Sequence, residues 1–147
     1  MFSEDLRLWK KHEREFAGML VRYFPVVQLE TAEWDFKDWD VKATFNLKGK
    51  HVEKTYEVKL DTISPTTWEV CIEHSYNWHP SWVYTSKADV IVYSLWDEFF
   101  LVPRPELLHW LTTAQKTEKV WGDGNKSWLY IVNKEDFRTI SKVIWKD

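Results

Sequence analysis

Cysteine occurs once, at Cys71, so no disulfide can close within the chain and no thiolate cage can be built from it alone, as expected in a reducing compartment. No window holds the roughly 18 consecutive apolar residues of a membrane span, and acids and lysines interrupt the first residues where a secretion signal carries its apolar core. A soluble, cytoplasmic protein with no membrane partner is expected. The five histidines, at 12, 51, 74, 79 and 109, show neither HxxxH nor HExxH spacing, which leaves a zinc hydrolase poorly supported. Positive charge is also in short supply. The net charge is −3, against the basic balance of proteins that hold nucleic acid by phosphate neutralisation alone.

What is present narrows the field further. At 147 residues the chain is the size of one packed domain. Tryptophan occurs 11 times, scattered from Trp9 to Trp145, a distribution that predicts core and edge packing more than a binding platform. Acids gather in one stretch, where Glu30, Glu33, Asp35, Asp38, Asp40, Glu57, Asp61, Glu69 and Glu73 fall between residues 30 and 73. Such a cluster repels phosphate unless a divalent cation inverts its local sign.

Periodicity predicts a helix over 4–24 that Pro25 ends, with Leu6, Trp9, Phe16, Ala17, Leu20 and Phe24 on one stripe and Glu13 in its middle. Residues 39–47 alternate as a strand, with Val41, Ala43, Phe45 and Leu47 opposite Asp40, Lys42, Thr44 and Asn46. Lys48-Gly49-Lys50 reads as a turn into a second alternating strand, 53–61, in which Glu57, Lys59 and Asp61 share a face. A third strand is expected over 68–74, then a helical turn near 85–88. Strands follow at 89–95 and 99–102, a helix at 106–114, a strand at 127–132 and a closing helix at 134–145.

The alternation carries a chemical statement. Asp40 on one strand faces the same side as Glu57 and Lys59 on the next, and two such carboxylates with the Val58 carbonyl offer a hard cation oxygen ligands and open water positions. A cation held there lowers the pKa of bound water, and an adjacent ammonium orients it for attack. The acid-x-Lys triplet alone says little: 23 acids and 15 lysines in 147 residues supply about two by chance, and three occur. Context singles out Glu57-Val58-Lys59, which lies in a strand preceded by one with Asp40 and followed by one with Glu73. The plain alternative is a cross-strand charge pair on a solvated face, worth a few tenths of a kcal/mol.

The order of helix with an inward Glu13, strand with Asp40, hairpin into Tyr56-Glu57-Val58-Lys59-Leu60-Asp61, third strand, short helix and further strand resembles the αβββαβ core of PD-(D/E)XK nucleases over roughly residues 4–102. The runs Glu57 to Asp61, Ile72-Glu73 and Tyr84-Thr85-Ser86-Lys87-Ala88-Asp89 resemble, more narrowly, small phage and prophage members of that superfamily. The resemblance implies an α/β, restriction-endonuclease-like fold with a mixed central sheet flanked by helices, and a DNA phosphodiesterase using Mg²⁺ or Mn²⁺. It implies Asp40 and Glu57 as metal ligands with the Val58 carbonyl, Lys59 as the catalytic lysine and Glu13 as the helix-borne carboxylate. Glu73 is an additional candidate ligand. For DNA, Thr85, Ser86 and Lys87 are candidate phosphate contacts through hydroxyls, ammonium and backbone N–H groups, with Lys116, Lys119 and Lys126 as a second basic rim and Trp121 as a stacking surface. Tyr76, Trp78, His79 and Trp82 form an aromatic loop read either as a wedge at a DNA branch or end or as a contact for a second subunit in a homodimer.

Overall fold

The computed structural model describes residues 2–32, 38–60, 68–95, 97–122, 124 and 126–146, and the side chains of residues 2–6 and of Trp121 lie outside that description. The expectations for Glu33, Asp35, Asp61 and the indole of Trp121 therefore fall outside the described residues.

In chain order the elements are α1 (Phe2–Tyr23), β1 (Val26–Thr31), β2 (Val41–Leu47), β3 (Lys50–Leu60), β4 (Glu69–Tyr76), β5 (His79–Pro80), α2 (Trp82–Thr85), β6 (Val90–Ser94), β7 (Glu98–Pro103), α3 (Arg104–Thr113), β8 (Lys116–Trp121), β9 (Ser127–Asn133), α4 (Lys134–Thr139) and β10 (Lys142–Trp145). They build a six-stranded mixed sheet, ordered β1-β2-β3-β6-β7-β10, and a four-stranded sheet, ordered β5-β4-β9-β8. Among the described residues no helix is long and apolar enough to cross a membrane.

The β2–β3 hairpin closes on Lys48 and Gly49, at φ of +53° and +81°, a two-residue turn whose twist matches its strands. Its register pairs Val41 with Tyr56 and Leu47 with Lys50. β3 then pairs with β6, the parallel pairing of this sheet. Asp89 fixes where that pairing starts: its Oδ2 accepts from Thr55 N at 2.9 Å and Thr55 Oγ1 at 3.0 Å. β6 is buried along its whole length and β7 through five of its six residues, as expected of central strands covered on both faces. On one face Val90 and Val92 pack with Phe16 and Leu20 of α1, together with Val41, Phe45, Tyr56 and Phe99. On the other, Ile91 and Tyr93 join Val70, Ile72, Val83, Phe100, Leu107, Val132 and Phe137. The sheet is thus the middle layer, between α1 and a layer made of the four-stranded sheet with α3 and α4.

Several expectations need correction. The strand over residues 69–76 does not extend the β2–β3 meander but leaves it for the second sheet, where it pairs with β9. Its place in the meander is taken by β1, antiparallel to β2. β1 follows Pro25 without clean alternation, because it is an edge strand with a register shift between Val26 and Gln28. The closing segment is not one helix: α4 stops at Thr139, and residues 142–145 pair with β7. Residues 116–121, read above as part of a basic rim with Trp121 as a stacking surface, form β8. Tryptophan packs as expected only in part: among the described residues Trp82 and Trp110 lie against the core built by Phe, Tyr, Val, Leu and Ile, whereas Trp9, Trp68, Trp78 and Trp145 are exposed.

The tip between β4 and β5 is conformationally costly. Asn77 and Trp78 adopt φ of +47° and +69°, and a left-handed backbone costs a residue with a Cβ about 1–2 kcal/mol, less for Asn.

Candidate metal centre

β2 begins at Val41, which pairs with Tyr56, and Asp40 just before it is tied to the same residue, its N–H donating to Tyr56 O at 2.8 Å. That bond holds Asp40 beside the Tyr56–Val58 stretch of β3. Beyond Tyr56, β3 has β6 on one side and no backbone partner from β2 on the other. The Asp40 side chain fills the gap, its Oδ2 accepting from Val58 N at 2.8 Å. In an extended strand a residue's N–H and C=O point to the same edge, so the Val58 carbonyl faces this edge too.

Three further groups complete the cluster. Glu13, on the α1 stripe and 6% exposed, is close enough to Asp40 for that charge to act on it. Lys59 Nζ lies 3.6 Å from Glu57 Oε2 and is held between two indoles, 5.5 Å from the Trp9 ring centroid and 5.1 Å from that of Trp82. Lys10 Nζ lies 3.1 Å from Glu13 Oε2 and donates to Ala32 O at 3.0 Å. Three carboxylates thus meet two ammonium groups between α1, β3 and α2.

Burial dominates the electrostatics. It pushes the carboxyl pKa values of Glu13, Asp40 and Glu57 upward, and Asp40 adds to the rise for Glu13 and Glu57. The Val58 N–H opposes the rise at Asp40, and Lys59 opposes it at Glu57. Raised carboxyl pKa values mark groups whose ionised form lacks sufficient stabilisation. The hydrogen bonds agree: Glu57 Oε2 and Glu13 Oε2 are buried yet accept no well-formed hydrogen bond, and the Lys10 contact to Glu13 is an ion pair off the hydrogen-bonding direction.

A divalent cation fits this arrangement. Asp40 Oδ1, Glu57 Oε2 and the Val58 carbonyl are hard oxygen donors at one strand edge, and Mg²⁺ characteristically uses one or two carboxylates and keeps several waters. Among the described residues no three Asp, Glu, His or Cys side chains are grouped closely enough to hold a metal by themselves, so a cation here would depend on two carboxylates, a backbone oxygen and water.

The other sequence candidates are placed differently. The Glu73 carboxylate is taken up by hydroxyls, accepting from Ser81 Oγ and, at 3.0 Å, from Ser127 Oγ, and it is not among the charges acting on Asp40, Glu57 or Glu13. Its expected role as a ligand is replaced by one of tying the second sheet together, because β4 belongs to that sheet. Thr85 and Ser86 end α2 rather than begin a helix, and their N–H groups are used within it, donating to Ser81 O and Trp82 O. The Thr85 and Ser86 amides are therefore not available to phosphate. Ser86 is 4% exposed and lies close enough to Glu57 to favour its ionised form, and its Oγ accepts from Ala88 N at 3.2 Å. Lys87 is exposed, 3.8 Å from Asp38 Oδ1. Lys126 lies next to β9, against the β4–β5 turn, where its N–H donates to Asn77 Oδ1.

Sequence reasoning missed Trp9, Trp82 and Lys10 as members of the cluster. Trp9 and Lys10 stand one turn before Glu13 on α1, which was the available signal. Nothing local connects Trp82 to Lys59. Compared with models of known protein families, with curated proteins and with solved structures, the chain matches none.

Proposed function

We propose that this protein is a divalent-metal-dependent nuclease that hydrolyses DNA phosphodiester bonds. The observation that carries the reading is the convergence of Asp40, Glu57 and Lys59 on the open edge of β3, with buried carboxylate oxygens that lack hydrogen bonds. The order of elements supports it as well: α1, β1, β2, β3, α2 and β6 run in the αβββαβ sequence of PD-(D/E)XK nucleases, with β4 and β5 set aside in the second sheet.

Asp40, Glu57 and the Val58 carbonyl would hold Mg²⁺ or Mn²⁺. When bound, the cation supplies Lewis acidity toward a phosphate oxygen and lowers the pKa of water. Lys59 orients the attacking water and balances charge growing on the phosphoryl oxygens. Trp9 and Trp82 fix its ammonium, and Ser86 favours the ionised form of Glu57. Water adds to phosphorus, the bond to the leaving oxygen breaks, and that oxygen takes up a proton. Incubating the protein with Mn²⁺ and duplex, single-stranded or branched DNA tests the reading; cleavage that disappears in Asp40→Asn is expected, and no cleavage of any of the three overturns it.

A second reading, a nuclease-like binding or inhibitor module without catalysis, is favoured by one observation. Lys10 and Lys59 already stand beside Glu13 and Glu57, so internal ammonium groups take part of the role of a cation. A melting temperature indifferent to Mn²⁺ would favour this second reading.

A further inference from the structure

The β4–β5 tip carries a residue that its backbone does not suit. Asn77 and Trp78 are the central residues of a two-residue turn, Tyr76 pairing with His79 across it, and both have positive φ. Turns of this kind favour Asn followed by Gly. Asn77 fits, whereas an indole stands where glycine is preferred. Burial does not offset the strain, since Trp78 is 76% exposed, with the Trp128 ring 5.3 Å away and tilted by 48°. The tip is also rigidly held: Asn77 N donates to Lys126 O and Lys126 N donates to Asn77 Oδ1, each at 2.8 Å. The fold therefore gives up stability to present an aromatic face to solvent from a fixed support.

We infer that Trp78 is a stacking platform for an unpaired base, and that the preferred substrate is a nucleic acid with a single-stranded or forked segment beside the scissile phosphate. The inference rests on the nuclease reading for what happens to that substrate. Trp78 precedes by four residues Trp82, whose ring packs on Lys59. Four extended residues span at most about 14 Å, or roughly four steps of a nucleic acid strand at about 3.4 Å each. That bound holds for the Cα atoms, and the side chains extend it at each end, so a base on Trp78 and a phosphate at Lys59 would be joined by a strand of several nucleotides. The neighbours suit that occupant, since His79 and Lys126 are exposed and can meet the phosphates on either side of a stacked base. A second copy of this chain suits it less. A stable protein interface covers about 800 Å² per partner, whereas two aromatic side chains, Trp78 and Tyr76, offer at most about 500 Å².

The test uses the full chain in EDTA, so that binding is read without cleavage. Wild type, Trp78→Gly and Trp78→Phe are titrated against a short DNA duplex and the same duplex ending in a single-stranded fork, and their melting temperatures are compared. Wild type is expected to bind the fork more tightly than the duplex. Trp78→Gly is expected to bind the fork at least about 5-fold more weakly, the loss of one stacked base, with duplex binding unchanged and a melting temperature equal or higher. Trp78→Phe is expected to keep most of the preference. Equal fork binding by wild type and Trp78→Gly overturns the inference, as does failure of wild type to bind the fork, a Trp78→Gly loss shared by both probes, or a change of oligomeric state on Trp78→Gly substitution that accounts for the loss. The two readings separate cleanly. A fork preference lost in Trp78→Gly without any Mn²⁺-dependent cleavage keeps the platform and removes the nuclease, whereas cleavage with an unaltered fork preference does the reverse.

Discussion

Two regions of the six-stranded sheet each bury a glutamate, and they treat it in opposite ways. Glu98 on β7 is 2% exposed and Glu57 on β3 is 7% exposed. Around Glu98, Arg138 donates from Nη1 at 2.6 Å and from Nη2 at 3.2 Å, with Lys134 Nζ at 3.8 Å. That carboxylate is forked, charge-matched and saturated. Around Glu57, the nearest cation is 3.6 Å away, one oxygen is without a hydrogen bond, and a second acid adjoins. Burial alone therefore does not say whether an acid is held by partners or left in need of one; the satisfaction of its oxygens does. Equally buried glutamates should then fail differently, one through folding and the other through chemistry.

The largest effect should fall on activity. Glu57→Gln or Lys59→Ala is expected to lower Mn²⁺-dependent DNA cleavage by about 10²–10³-fold, the usual loss when one electrostatic partner of a transition state is removed, while the melting temperature of Glu57→Gln is kept or raised. A Glu57→Gln protein that unfolds instead would break the comparison. Next comes Glu98→Ala, which strands Arg138 and Lys134 and should cost about 3 kcal/mol. That is the low end for a broken buried pair, because Arg138 keeps part of its hydration; urea unfolding measures it, and the folded fraction should cut DNA as wild type does.

The third prediction concerns pH and metal. Because the folded-state pKa values of Glu13, Asp40 and Glu57 are raised above the ordinary 4.5, 3.8 and 4.5, these groups contribute stability that is fully present below those ordinary values. It is lost as pH rises through the raised folded values. A divalent cation binds the ionised carboxylates, so at ten times its Kd it should restore about 1.4 kcal/mol at neutral pH and less at pH values near the ordinary carboxyl pKa. Calorimetric melting across pH, with and without Mg²⁺, reads the difference, and an equal shift at both ends would remove the site from the account. The smallest effect belongs to Trp9→Leu. Losing one cation–π contact at a half-exposed site, about 0.5–1 kcal/mol, should slow cleavage by about 2–5-fold and leave the melting temperature nearly unchanged.

The candidate site was legible because a hairpin with a short turn obeys two simple rules. The period of two assigns faces, and the turn at Lys48-Gly49 sets the register that pairs Val41 with Tyr56, the neighbours of Asp40 and Glu57. Glu13 was legible as an acid on an apolar stripe. What failed to show was everything decided by distant partners. β1 has an irregular edge pattern, β10 is too short for its period to separate strand from helix, and β8, Lys-Thr-Glu-Lys-Val-Trp, shows no alternation and reads as a basic surface. The assignment of β4 to a second sheet depends on β9, and the indole pair around Lys59 depends on α1 meeting α2. Neither leaves a local trace. Tryptophan misled for a related reason: composition counts indoles but does not say which of them the fold leaves outside.

The β4–β9 pairing also has a consequence during synthesis. Glu69 pairs with Asn133 and Tyr76 with Ser127, so nearly the whole chain must leave the ribosome before β4 has its central neighbour. Until then Val70 and Ile72, fully buried in the finished protein, stand on an open strand edge able to recruit another nascent chain. Pairings this distant in sequence also close slowly. Low temperature and slow expression, which lower the concentration of unfinished chains, should raise the soluble yield more for this protein than a stronger core would.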